Sequence, residues 1–111
     1  MRVHLIKKQS IEDFVRRNPG SAGSFSAWYS IIRKVDWHMP QDILSTFRSA
    51  DILGKGTNRV VFNIGGNAYR MICTYYFGRN RVHLFVKWIG THDAYSKVCD
   101  KGRQYTIDMF G

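Results

Sequence analysis

Residues 58–95 read NRVVFNIGGNAYRMICTYYFGRNRVHLFVKWIGTHDAY, and their alternation of apolar and polar side chains decides the fold. Three alternating runs stand out: Arg59 to Ile64, Tyr69 to Phe77 and Val82 to Ile89. Gly65-Gly66-Asn67 separates the first two, and these residue types accept positive φ, so a tight hairpin is expected there. Gly78-Arg79-Asn80 separates the second and third, giving an antiparallel three-stranded meander. Side chains alternate across a strand, so parity sorts each run into two faces. One parity holds Val60, Phe62, Ile64, Tyr69, Met71, Cys73, Tyr75, Val82, Leu84, Val86 and Trp88, an apolar set expected to be core. The other holds Arg59, Val61, Asn63, Arg70, Ile72, Thr74, Arg81, His83, Phe85 and Lys87, expected to be a basic surface. Between Gly54 and Gly90 there are six Lys or Arg and no Asp or Glu, so nothing within the meander neutralises that face. The reading is that a polyanion does.

Working outward, the 111 residues suit one domain with a single modest core. A hydrophobic content of 44% is ample for folding, and the net charge of +9 calls for an acidic partner: nucleic acid, an acidic protein or an anionic surface. No apolar run approaches the roughly 18 residues of a membrane-spanning helix. The start MRVHLIKKQS does not read as a signal peptide, so a cytoplasmic chain is expected. The two cysteines, Cys73 and Cys99, make no disulfide framework and read as reduced thiols.

Upstream, Val3 to Ile6 reads as a short first strand at an edge or in the middle of the meander. Ser10 reads as a helix N-cap, with Glu12 and Asp13 in the first turn and Ile11, Phe14 and Val15 as the apolar stripe, ended by Asn18-Pro19-Gly20. A second helix is expected from Ser24 to Lys34, and the pair forms an αα-hairpin covering the apolar sheet face. Pro40 opens a short third helix over Gln41 to Phe47, and Ser49 to Thr57 reads as loop. After Ile89, Gly90 ends the last strand and Thr91 caps a short helix through Val98. Cys99 to Gly111 reads as either a weak strand or a docked tail.

The four histidines have no metal-ligand spacing with one another or with the cysteines, and no metal site is expected. Gly54-Lys55-Gly56 lacks the strand, spacing and Lys-Ser/Thr ending of a P-loop and reads as a turn. Nucleophile elbows and paired carboxylates are absent from the sequence. What remains is cation chemistry: Arg70 and Lys87 on the basic parity, with His92 and Tyr95 three apart at the start of the last helix. Cleavage of an RNA phosphodiester by its own 2′-hydroxyl needs a proton acceptor, charge stabilisation and a proton donor. Imidazole, guanidinium, ammonium and phenol groups supply those roles. Arg59, Lys55, Asn63 and Arg81 read as further RNA contacts.

The segments RVVFNIGGNAYRMI and FVKWIGTHDAY resemble the two signature stretches of the HigB-type toxins, in the RelE-like superfamily of bacterial toxin-antitoxin systems. The stretch AWYSIIRKVDWHMPQDILSTFRSADIL resembles their second helix and following loop, so the similarity runs to about Val98 and marks residues 1–98 as the toxin domain, with 99–111 as a tail outside it. The resemblance implies an α+β fold, two N-terminal helices packed on a mostly antiparallel sheet in the order β-α-α-β-β-β, with a short C-terminal helix. It implies a metal-independent endoribonuclease, without a cofactor, that cuts mRNA in the A site of the 30S ribosomal subunit. A cognate HigA-like helix-turn-helix antitoxin would block it. Residue by residue, the family's functional Arg falls on Arg70, its basic residue before the GTH turn on Lys87, and its GTH-x-x-Tyr pair on His92 and Tyr95. Two positions depart: Ser96 stands where an acidic residue is common, and Lys87 stands where Arg is common, keeping the charge without the bidentate fork. The rival readings are a non-catalytic RNA-binding module using the same basic face and a protein-interaction domain meeting an acidic partner.

Overall fold

In the computed structural model, which describes residues 1–110, the three runs form β3 (Arg59–Ile64), β4 (Tyr69–Phe77) and β5 (Arg81–Thr91). The β3–β4 turn uses Gly65 and Gly66 at φ of 66° and 68°, the left-handed region in which glycine is unstrained. The first strand, β1 (Arg2–Ile6), pairs parallel with β5 and forms one edge of the sheet. A two-residue strand, β2 (Asp51–Ile52), pairs antiparallel with β3 and forms the other edge, within the stretch expected to be loop. The sheet order is β1-β5-β4-β3-β2.

The first three helices pack on one face, as parity predicts. From α1 (Lys8–Arg17) come Ile11 and Phe14, and from α2 (Ala22–Ile32) come Phe25, Trp28 and Ile32. These meet Val60, Phe62, Ile64, Met71, Cys73, Val82, Leu84 and Val86. Trp28 lies edge-on to Phe62, with centroids 5.2 Å apart. A short α3 (Pro40–Thr46) adds Ile43 to the same core. The Asp42 carboxylate accepts from the backbone N–H groups of His38 and Met39, satisfying donors at the start of α3.

Two helix starts differ from the sequence expectation. α1 begins at Lys8 because the chain leaves β1 through Lys7 in a left-handed conformation (φ 70°). Ser10 is therefore buried inside the first turn, its N–H donating to the Lys7 carbonyl, and it is not the cap. Glu12 and Asp13 fall beyond that turn and pair instead with Lys8 and Arg16. α2 runs from Ala22 to Ile32, leaving Arg33 and Lys34 past its last turn.

One strand residue changes sides. Ile72 faces Trp88 and Cys73 faces Val86, so Lys87 has no partner on β4 and forms a β-bulge. Beyond the bulge the parity of β5 is inverted. Trp88, expected in the main core, turns to the opposite face and joins Val61, Ile72 and Val98 in a second, smaller core. The last helix, α4 (His92–Asp100), lies on that core through Val98, Ala94 and Tyr95. The boundary expected after Val98 thus falls inside α4. Among the described residues no helix is long and apolar enough to cross a membrane.

Trp88 lies across Gly90: a Cβ there would sit 2.4 Å from the indole ring. Gly90→Ala is therefore expected to overpack the second core and destabilise the fold by about 2 kcal/mol. Chemical denaturation read by tryptophan fluorescence checks this. An unchanged midpoint would mean that the indole does not rest there.

Candidate functional site

The end of the sheet holding the β3–β4 turn gathers half of the sequence-predicted site residues. Arg70 on β4 faces Asn63 on β3 and Gly90 on β5. It is 8% exposed, and its guanidinium donates to Asn67 Oδ1 at 2.6 Å and to the Tyr69 carbonyl at 3.1 Å. Among the described residues no carboxylate forms an ion pair with it. Arg70 is a buried cation held by an amide and a carbonyl, with no carboxylate partner among the described residues. Asn67, read from sequence only as a turn residue, is what holds it.

α4 brings the imidazole and the phenol to the same end. The Thr91 hydroxyl accepts from the Ala94 N–H at 3.2 Å, the cap that the sequence predicts. His92 donates its backbone N–H to the Ala68 carbonyl at 3.0 Å, tying the helix start to the β3–β4 turn one residue from Asn67. Its side chain is half exposed, with Asp93 beside it at 3.8 Å. Tyr95 packs back on Trp88, ring centroids 6.0 Å apart. Burial raises the Tyr95 phenol well above the ordinary tyrosine range. A hydrogen bond shared with Cys99 and the Asp51 charge add to that rise, and the charge of Arg70 opposes it. The protonated form of the phenol is thereby favoured.

Lys87 and Arg59 have different company. Of the stretch Cys99 to Gly111, Cys99 and Asp100 close α4, Gly111 lies outside the described residues, and the rest makes a 3-10 turn at Arg103–Tyr105 and crosses the basic face as a docked tail. Lys87 Nζ pairs with Asp108 Oδ2 at 3.0 Å, and the Met109 N–H donates to the Lys87 carbonyl. The Arg59 guanidinium is buried under the tail, donating to the Ile107 carbonyl at 2.7 Å and the Gln104 carbonyl at 3.3 Å. Lys55 lies over the Tyr105 ring at 4.9 Å. The basic face is therefore not bare. Its neutralising groups come from the tail, outside the meander and outside the family resemblance. Arg81 opens β5, ten residues before Thr91, and so sits roughly 30 Å along the strand from the α4 end. The site residues are thus split three ways: Arg70, Asn63, His92 and Tyr95 at one end, Lys87, Arg59 and Lys55 at the tail, and Arg81 at the far end. Among the described residues no three His, Cys, Asp or Glu side chains are grouped as metal ligands would be.

Arg59→Ala removes a buried charge that serves two tail carbonyls, so a loss of about 2 kcal/mol is expected, along with release of the tail. Limited proteolysis checks this by earlier cleavage between residues 101 and 110. An intact tail combined with weakened RNA binding would make Arg59 a ligand contact and not a structural one.

Residues 21–98 match the family HigB_toxin, described as the RelE-like toxic component of a toxin-antitoxin system. The mRNA interferase HigB of Escherichia coli O6:H1 (strain CFT073) is 29% identical over 96 residues, covering 86% of this chain and 91% of that protein. The mRNA interferase toxin HigB of Escherichia coli strain K12 is 25% identical over 93 residues, covering 84% and 88%. The same identity and coverage hold for the mRNA interferase HigB of Shigella flexneri. With the family match spanning most of the chain, and its second helix, meander and capped last helix in place, this protein belongs to the HigB family of RelE-like toxins.

Proposed function

We infer that this chain is the toxin of a type II toxin-antitoxin pair and acts as an endoribonuclease on mRNA, inhibiting translation and growth. Family membership and the name mRNA interferase borne by its relatives support this reading. The observation that carries the site assignment is Arg70, held on one side by Asn67, unpaired with any described carboxylate, and within electrostatic reach of a protonated Tyr95.

In this reading the scissile phosphate sits against Arg70 at the α4 end of the sheet. His92 accepts the proton of the adjacent 2′-hydroxyl. That oxygen attacks phosphorus, and the bond to the 5′-oxygen of the next nucleotide breaks, leaving a 2′,3′-cyclic phosphate. Tyr95 gives its phenolic proton to the departing 5′-oxygen, which leaves as a hydroxyl, and the proton held by His92 is returned to Tyr95 through solvent. Arg70 stabilises the charge that builds on the phosphorane-like transition state. Lys87, four residues before Thr91 and paired with Asp108, contributes by substrate approach once RNA phosphate competes for its ammonium group. The chemistry is assigned to side chains alone, without a metal or cofactor. The mRNA is engaged in the A site of the 30S subunit in the cytoplasm, where the +9 charge favours docking on ribosomal RNA. A HigA-like helix-turn-helix antitoxin is the partner that restrains it.

The double variant Arg70→Ala/His92→Ala is expected to abolish growth arrest on induction and cleavage of mRNA by translating ribosomes, while circular dichroism shows a folded chain. Product ends mapped from the wild type are expected to carry 2′,3′-cyclic phosphate. Wild-type cleavage by the double variant would overturn the site. A wild-type protein that retards RNA without shortening it would instead favour the non-catalytic binding module.

A further inference from the structure

The half of the sheet face beyond the tail carries rings that neither the cores nor the proposed chemistry use, Tyr76 and His4 exposed and His83 partly buried between them. His83 on β5 faces Tyr76 on β4 and His4 on β1 in the strand register. Its ring stacks with Tyr76 at 6.0 Å and an interplanar angle of 29°, and meets His4 edge-on at 5.7 Å. Three rings from three adjacent strands therefore form one continuous row. Tyr76 is 61% exposed, although tyrosine on a packed sheet usually buries its ring. β3 stops pairing with β4 at Thr74, so no strand runs alongside the outer side of Tyr76.

The surroundings of the row are cationic. Arg2 and Arg81 are cross-strand partners two residues from His4 and His83, and they line a cleft of about 360 Å³ with His4 and Asn80. Arg79 stands in the adjoining turn and is exposed. Along β5 the row continues through Phe85, whose ring lies 5.8 Å from Lys87 Nζ. Strands β1, β4 and β5 contain no Asp or Glu.

We propose that Tyr76, His83 and His4, flanked by Arg81 and Arg2, form a stacking platform for single-stranded RNA, holding nucleotides several positions away from the scissile phosphate. Rings that stand exposed among cations suit this ligand. Every base has a π-face to stack, and every linkage between bases carries an anion for the arginines. An acidic peptide would satisfy the arginines but leave the ring row without a partner. The platform lies six β4 residues from Arg70, roughly 20 Å along the strand, a span that an extended RNA strand covers. The proposal rests on the toxin reading for its choice of RNA, yet its test does not require cleavage.

The test is binding of the full chain to a fluorescently labelled single-stranded 2′-O-methyl oligoribonucleotide, which cannot undergo 2′-hydroxyl attack, followed by anisotropy. Tyr76→Ala/His83→Ala is expected to weaken affinity by about ten-fold or more, while Tyr76→Phe/His83→Phe, which keeps both rings, retains wild-type affinity. If the double alanine variant fails to fold, His4→Ala and photo-crosslinking of a 4-thiouridine oligonucleotide to the wild type take its place, and a crosslink to Tyr76 is expected. Unchanged affinity in a folded alanine variant, or crosslinks confined to α1 and α2, would overturn the platform. So would loss of binding to a polyglutamate peptide with RNA affinity unchanged, which would assign the surface to an acidic protein. Failure of the ribonuclease reading would appear separately, as a wild type that binds the oligonucleotide but leaves cellular mRNA uncut.

Discussion

The bulge at Lys87 turns Trp88 out of the main core and onto the far face of the sheet, and the site depends on that one reversal. A sheet with helices on one face ordinarily leaves its other face to solvent. Here Trp88, Ile72 and Val61 make that face apolar over one short band, and burying this band is what holds α4 down. Gly90 is required beside it because the indole occupies the space of a side chain. With α4 seated, Thr91 caps its first turn, His92 is tied to Ala68, and Tyr95 packs on Trp88. The apolar contact does the positioning of the polar groups to which the proposed function assigns the chemistry.

Electrostatics on this face are arranged by segments far apart in sequence. The meander supplies cations only, and the tail supplies Asp108 together with the carbonyls of Gln104 and Ile107. Arg59 is consumed by this arrangement: burial makes its charged form costlier than in water, partly offset by Asp108, so its guanidinium serves as the anchor of the tail. Arg70 is treated differently, since its neighbours are an amide and a carbonyl and its charge stays available. Two arginines on one face, equivalent by parity, thus have opposite roles. The tail also divides the face, with the α4 end on one side and the row of Tyr76, His83 and His4 on the other.

The hairpin strands were legible in the sequence because period-two patterning and the Gly-Gly-Asn turn are local signals, and their bounds match to within a residue or two. The α4 cap was legible for the same reason: Thr91 followed by Asp93 is a short-range pattern. Ser10 misled because the general preference of serine for caps was overridden by the left-handed turn at Lys7, which starts α1 earlier. The bulge left almost no local signal. Alternation carried past Lys87 places Trp88 in the main core, and only the pairing of Ile72 with Trp88 reveals the shift. Contacts such as Arg59 with Ile107, 48 residues apart, lie beyond any periodicity. Strand parity and helical spacing are enough to put Arg70, His92 and Tyr95 at one end of the sheet. The diversion of Arg59 and Lys87 to the tail could be seen only in three dimensions.

An apolar seat for α4 brings His92 and Tyr95 to the end of the sheet that holds Arg70, where the proposed function places the RNA. The most direct measurement is amide chemical-shift mapping of the isotopically labelled chain titrated with an uncleavable 2′-O-methyl oligonucleotide. The account requires shifts at Asn67, Arg70, His92 and Tyr95 that saturate together. Shifts confined to the helical face around α1 and α2, with those four residues unmoved, would contradict it.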